Sequence, residues 1–187
     1  AYTLLQSLEA AGVHSGTELV FQIDDPRSFV IVFWACQIGG IVAVPVATGS
    51  GEYHKDKLLR ILQTLRAPVV ISDADVVTQA GINMLDVRTL LGIECAIERG
   101  IKHKTNEQGI ALLQFSSGST GTPKGVIVSP EGIGVNVVDM IERLNVTADD
   151  KYLSWMPLTH DFGIMGMHMV PIYAAIPHII LPTALFV

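Results

Sequence analysis

Charge is scarce in this sequence. Only 16% of its 187 residues are Asp, Glu, Lys or Arg, and 12 basic against 18 acidic side chains leave a formal charge of −6. No basic cluster occurs, which argues against a nucleic-acid partner, because holding a phosphate backbone takes several Lys and Arg on one face. Cysteine is nearly absent. Cys36 and Cys95 lie far apart, show no metal-ligand spacing and sit among apolar residues, so both are expected to be reduced core residues in a cytoplasmic protein. There is no Gly-x-Ser-x-Gly, no His-Glu-x-x-His and no Cys-x-x-Cys, which disfavours a hydrolase. Internal repeats and low-complexity tracts are missing, neither end resembles a targeting signal, and the chain starts at Ala1-Tyr2 without an initiator Met.

What is abundant is apolar surface. Hydrophobic residues make up 49% of the chain, enough for a sizeable core. Two stretches carry no Asp, Glu, Lys or Arg: 29–46 and 163–187. Gly39-Gly40 and Pro45 punctuate the first, and His168, Pro171, Pro177, His178 and Pro182 the second, so both are expected to be core and neither a membrane span.

The patterning predicts alternating helices and strands. Leu4, Leu5, Leu8 and Ala11 fall at helical spacing before Gly12; Glu18 to Ile23 is a strand; Asp25 caps a helix with Pro26 at its first position. Ile41 to Val46 is the next strand. A surface helix from Tyr53 to Arg66 puts Leu58, Ile61, Leu62 and Leu65 on one face, and Pro68 to Ser72 is a third buried strand. This alternation predicts an α/β fold, a largely parallel sheet with helices on both faces in αβα layers. A short helix is expected at Leu85 to Leu91, a short strand near Ile93 to Ile97 and a solvated connection at 102–107. Later, Ser129 caps a helix that starts at Pro130 and buries Val135, Val138, Ile141 and Leu144.

Chemistry concentrates between two strands, Ile110 to Phe115 and Lys124 to Val128. Eight of the nine residues from Ser116 to Lys124 are hydroxyl-bearing, Gly or Lys. Gly118 and Gly121 permit positive φ and turn backbone N–H groups inward; Ser116, Ser117, Ser119, Thr120 and Thr122 add hydroxyl donors, and Lys124 a positive charge. Phosphate oxygens are the natural ligand of such a tip. Turn residues also build ordinary solvated hairpins, but a tip of this composition on a largely apolar strand favours the anion site. It is not a Walker A loop, since Pro123 precedes the lysine and Gly125 follows it.

Residue for residue, 113–124 resembles the phosphate-loop signature of the adenylate-forming enzymes: acyl-CoA synthetases, luciferases and nonribosomal-peptide adenylation domains. The block 153–166, containing Pro157-Leu158-Thr159-His160-Asp161-Phe162-Gly163, is similar to the next motif of that superfamily in the form found in fatty acyl-AMP ligases and lipopeptide-synthetase loading domains. The segments 33–45 and 181–186 look like further blocks of the same relatives. The resemblance implies the amino-terminal part of a larger adenylation domain, with the carboxy-terminal half and a small mobile domain outside residues 1–187. On its own this part is expected to be inactive.

The implied chemistry is transfer of AMP from ATP to a carboxylic acid, most naturally a fatty acid, with release of pyrophosphate. Delivery to a carrier-protein phosphopantetheine thiol follows, with coenzyme A an open alternative, as is an amino-acid adenylation domain. The resemblance places Ser116, Ser117, Gly118, Ser119, Thr120, Gly121, Thr122 and Lys124 around the β- and γ-phosphates, and His160 between nucleotide and acyl carboxylate. Mg2+ is implied, with its ligands outside these residues. Neighbouring residues rarely face one centre, so His160-Asp161 is not read as a catalytic dyad; Asp161 is expected to orient donors. Phe162 departs from the Met usual at its position. Trp155, Met165, Met167 and Met169 suit either an acyl tunnel or plain core, and core is the commoner role. A non-catalytic nucleotide-binding or scaffolding module is the reading from another class.

Overall fold

β1 (Glu18–Gln22), β2 (Val42–Pro45) and β3 (Val69–Ser72) form the centre of the fold, and only Glu18 among their residues is not fully buried. The computed structural model describes residues 1–49, 51–73, 83–92, 109–117 and 123–185. They divide into two compact units, Ala1–Val128 and Ser129–Val187.

In the first unit β1 lies between β3 and β2, in register Leu19↔Val69 and Leu19↔Ala43, all parallel. β4 (Asn83–Asp86) extends the sheet beyond β3, and β5 (Leu112–Ser117) beyond β2, again in parallel. β6 (Pro123–Val128) closes that edge antiparallel to β5, so the order is β4-β3-β1-β2-β5-β6. Side chains alternate across a strand, and both faces are covered. Val20, Val44 and Val70 meet Leu58, Ile61 and Leu62 of α3 (Glu52–Thr64). Phe21 points the other way, its ring 5.0 Å from that of Phe29 in α2 (Pro26–Gly39). α1 (Tyr2–Ala10) and α4 (Val87–Leu91) accompany α2 on that face. The expected layered α/β architecture is therefore present.

Local signals explain the boundaries. The Asp25 carboxylate accepts from the Ser28 N–H at 2.9 Å and from its hydroxyl at 2.6 Å, bonds that hold this carboxyl below its ordinary value. Gly40, at φ 64°, ends the helix in the left-handed region. Between them only Arg27 is exposed, as a helix apolar nearly all round requires. Cys36 is buried here as a free thiol, whereas Cys95 lies outside the described residues.

The second unit contains α5 (Pro130–Arg143), β7 (Tyr152–Ser154), a π-helix (Phe162–Met169), α6 (Val170–Tyr173) and β8 (His178–Ile180). β7 and β8 pair in parallel with Tyr152 opposite His178. Ser129 caps α5, its hydroxyl accepting the Gly132 N–H at 3.0 Å.

Several expectations are corrected. The buried side of α5 carries Ile133 and Val137, while Val135, Val138 and Leu144 are exposed and Ile141 is half-buried. That helix has apolar residues on two sides, and periodicity alone cannot choose between them. The helix expected at 85–91 starts only at Val87; residues 83–86 pair with β3, and the Asp86 carboxylate accepts the Arg88 N–H at 2.8 Å as the cap. β5 runs two residues further than expected, and Ile110 is exposed rather than part of the strand. The stretch 163–187 is core only as far as Pro171 in its first part, since Ile172, Tyr173, Ile179 and Leu185 are exposed. The strand expected near 93–97 and the connection at 102–107 lie outside the described residues. No helix among the described residues is long and apolar enough to cross a membrane.

Candidate functional site

β5 and β6 are the arms of the expected phosphate-binding hairpin. Their register runs from Leu112↔Val128 to Ser117↔Pro123, so the tip consists of residues 118–122. Gly118, Ser119, Thr120, Gly121 and Thr122 lie outside the described residues. Ser116 and Lys124 are register partners, and direct opposition on an antiparallel pair puts both side chains on the same face beside the tip. Both are exposed. One position back, the Phe115 ring lies across Gly125, where an added Cβ would stand 3.2 Å from it, and Phe115 packs on the core beneath α3. The hairpin is thus anchored by an aromatic ring on one face and presents a hydroxyl and an ammonium on the other. Ser117 ends β5 opposite Pro123.

In the second unit His160 closes a tight turn that follows β7. Its N–H donates to the Pro157 carbonyl at 3.0 Å, and its own carbonyl accepts the Ile164 N–H at 3.0 Å. The imidazole is open to solvent, with 60% of its side chain exposed. Contrary to the expectation for sequence neighbours, the Asp161 carboxylate meets it, with Oδ1 2.6 Å from Nδ1. The Phe162 N–H also approaches the same ring nitrogen, at 3.4 Å, so Nδ1 is held between the carboxylate and the first N–H of the helix. Asp161 Oδ1 also accepts the Phe162 N–H at 2.7 Å and so caps the π-helix. The acidic side chain therefore orients both the ring and the first N–H of the helix.

The π-helix has a polar anchor at its far end. His168 is 2% exposed, and its Nδ1 lies 3.3 Å from Nε2 of His178 on β8. Burial, and after it the neighbouring imidazole, pulls His168 down to about 4; burial also lowers His178. Met165 and Met169 are buried, while Trp155 and Met167 are half-buried.

The sequence profile of the AMP-binding enzyme family matches residues 4–186. The chain belongs to that family. A protein of Caulobacter vibrioides assigned as an acyl-CoA synthetase is 31% identical over all of this chain and 34% of its own length. The medium-chain-fatty-acid–[acyl-carrier-protein] ligase TtuA of Teredinibacter turnerae is 23% identical over 80% of this chain and 30% of its own. Among solved structures, McyG A-PCP in complex with phenylalanyl-adenylate superposes with a TM-score of 0.88 at 29% identity, covering 98% of this chain and 31% of that one. The chain spans about a third of the length of the curated relatives it matches.

Two features of this family member escaped the sequence. The His168–His178 contact pairs residues ten apart, which no periodicity marks. Gly163 reads as one more glycine until the backbone facing it is known.

Proposed function

We propose that this chain supplies the phosphate-holding hairpin and the acid-facing histidine of a ligase that activates a carboxylic acid, a fatty acid in the first instance, as its acyl-adenylate. The observation that carries the reading is the family match across 4–186, which includes both the hairpin and the His160 turn. In the reaction a carboxylate oxygen attacks the α-phosphorus of ATP, the bond to the bridging oxygen breaks, and pyrophosphate leaves. Two anions must meet in line, so catalysis is positioning and charge neutralisation. Ser116, Lys124 and the residues of the tip would hold the β- and γ-phosphates; each preorganised donor of this kind contributes on the order of 3 kcal/mol to the barrier. His160 would border the acyl carboxylate. Mg2+ is usual with ATP in this family; among the described residues no group of three His, Cys, Asp or Glu side chains could hold a metal ion, and no step is assigned to it.

A carrier-protein thiol is the acceptor of choice, since TtuA, named for ligation to acyl carrier protein, is among the relatives. Its attack on the acyl carbonyl expels AMP and forms the thioester. A second acceptor, coenzyme A, is favoured by the relative assigned as an acyl-CoA synthetase.

The test is acid-dependent exchange of pyrophosphate into ATP by the full-length gene product, with a panel of fatty, aryl and amino acids. Exchange with fatty acids supports the proposal, and a flat response across the panel favours a nucleotide-binding scaffold. Thr120→Ala and Lys124→Ala are expected to weaken exchange for every acid alike; altered acid preference with normal ATP use would contradict the hairpin's assignment. Supplying carrier protein or coenzyme A then identifies the acceptor.

A further inference from the structure

The turn that carries His160 rests on a backbone contact that leaves no space for a side chain. A Cβ added at Gly163 would overlap the Pro157 carbonyl oxygen and stand 2.9 Å from its carbon and 3.4 Å from the Met156 oxygen. The obstacle is main chain, so no rotamer change relieves it. Torsion is not the constraint, because Gly163 is not among the glycines with positive φ. Gly166, further along the π-helix, differs in kind: the atoms nearest a Cβ there belong to the Phe162 ring, at 2.9 Å, and that half-exposed side chain can swing aside.

The crowded carbonyl has a second partner. Pro157 O accepts the His160 N–H at 3.0 Å, while the His160 carbonyl accepts from Ile164, the residue after Gly163. The turn and the start of the helix are thereby locked to each other on both sides of the imidazole. A methyl group at 163 must push the Met156–Pro157 backbone away, and the His160 backbone is bonded to the part that moves.

We propose that Gly163 is a positioning residue that acts through His160: its bare Cα lets the Pro157 carbonyl seat against the helix and thereby fixes where the imidazole stands relative to the acid being adenylated. This rests on the reading of His160 as the group beside the acyl carboxylate. A misplacement of about 1 Å at a reacting centre costs on the order of 100-fold in rate, so the Gly163→Ala enzyme should lose roughly that factor in kcat. Its KM for ATP should change by less than about twofold, because the hairpin that would hold the phosphates is untouched.

The experiment measures pyrophosphate exchange by the full-length gene product as wild type, Gly163→Ala, His160→Ala and the double variant. Gly134→Ala, whose added Cβ would meet nothing within 4 Å, is the control. The proposal expects a kcat-selective loss in Gly163→Ala, a displaced His160 ring signal in its NMR spectrum, and no loss in the double variant beyond that of His160→Ala. Full activity in Gly163→Ala, or losses that multiply in the double variant, would overturn it. If His160→Ala exchanges at the wild-type rate, the underlying reading of His160 fails and the proposal with it, a result distinct from a loss seen in His160→Ala alone. Should Gly163→Ala not fold, Pro157→Gly loosens the same turn without adding an atom. The same selective loss, again absent beyond His160→Ala, is expected of it, and an unchanged kcat would be equally fatal.

Discussion

Acidification should loosen the second unit through the buried imidazole of His168 and its half-buried neighbour His178. His168 is almost wholly shielded from water and lies 3.3 Å from His178, an arrangement that disfavours the second proton that would make either ring cationic. Burial first, and the neighbouring imidazole second, lower His168 from 6.5 to about 4. Above pH 6.5 the folded and unfolded chains both leave it neutral. Between 6.5 and about 4 the unfolded chain takes up a proton that the native one refuses, so stability falls as pH falls; below about 4 the loss is complete. The difference amounts to about 2 kcal/mol by pH 5 and about 3 kcal/mol at saturation. His178, also lowered by burial, acts in the same direction. Tyr152, opposite His178 on β7, is raised by burial and by Asp150, so it stays neutral throughout this window. Only two tryptophans occur, and Trp155 belongs to the second unit, so urea unfolding of a Trp34→Phe protein followed by fluorescence reports on that unit. The drop in unfolding free energy from pH 7.5 to pH 5 should be about 2 kcal/mol smaller in a His168→Gln variant. Equal drops in the two proteins would refute the reasoning.

Other tests address single contacts. Ser129→Ala removes the hydroxyl that accepts the Gly132 N–H and should cost about 1 kcal/mol in urea unfolding. Gly134→Ala, inside α5 with open space around the added carbon, should stabilise by about 0.5–1 kcal/mol; a loss would show that the site is less open than described. Burial raises the Cys36 thiol far above its ordinary range, so in a Cys95→Ser protein a disulfide reagent should label it only on unfolding. Rapid labelling of the native chain would contradict its place in the core.

The layered sheet of the first unit was legible because each of its signals is local or strictly periodic. The short near-continuous apolar runs at Leu19–Ile23, Ile41–Val46 and Val69–Ile71 fit strands buried on both faces, and the Asp25-Pro26 pair marks a helix start through a bond within three residues, as Ser129-Pro130 does in the second unit. Where a segment offered two apolar faces the reading failed. α5 buries Ile133 and Val137 rather than the Val135–Val138 side, and which side faces in depends on neighbours that its own sequence does not specify. β7 and β8 are three residues each, too short for alternation to register, and they exist because they pair across about two dozen intervening residues.

For the candidate site the division is similar. Composition pointed to Ser116 to Lys124 as a candidate anion-holding tip, and resemblance to a family motif pointed to His160. The opposition of Ser116 and Lys124 on one face depends on strand register. The meeting of Asp161 with the imidazole depends on the turn before the π-helix, and the need for glycine at 163 depends on where the Pro157 carbonyl stands. Residue type, local spacing and family resemblance thus named the candidate groups. Tertiary packing decided how they are held, because contact between distant backbones is a property of the folded chain and leaves no mark on the residues taken one by one.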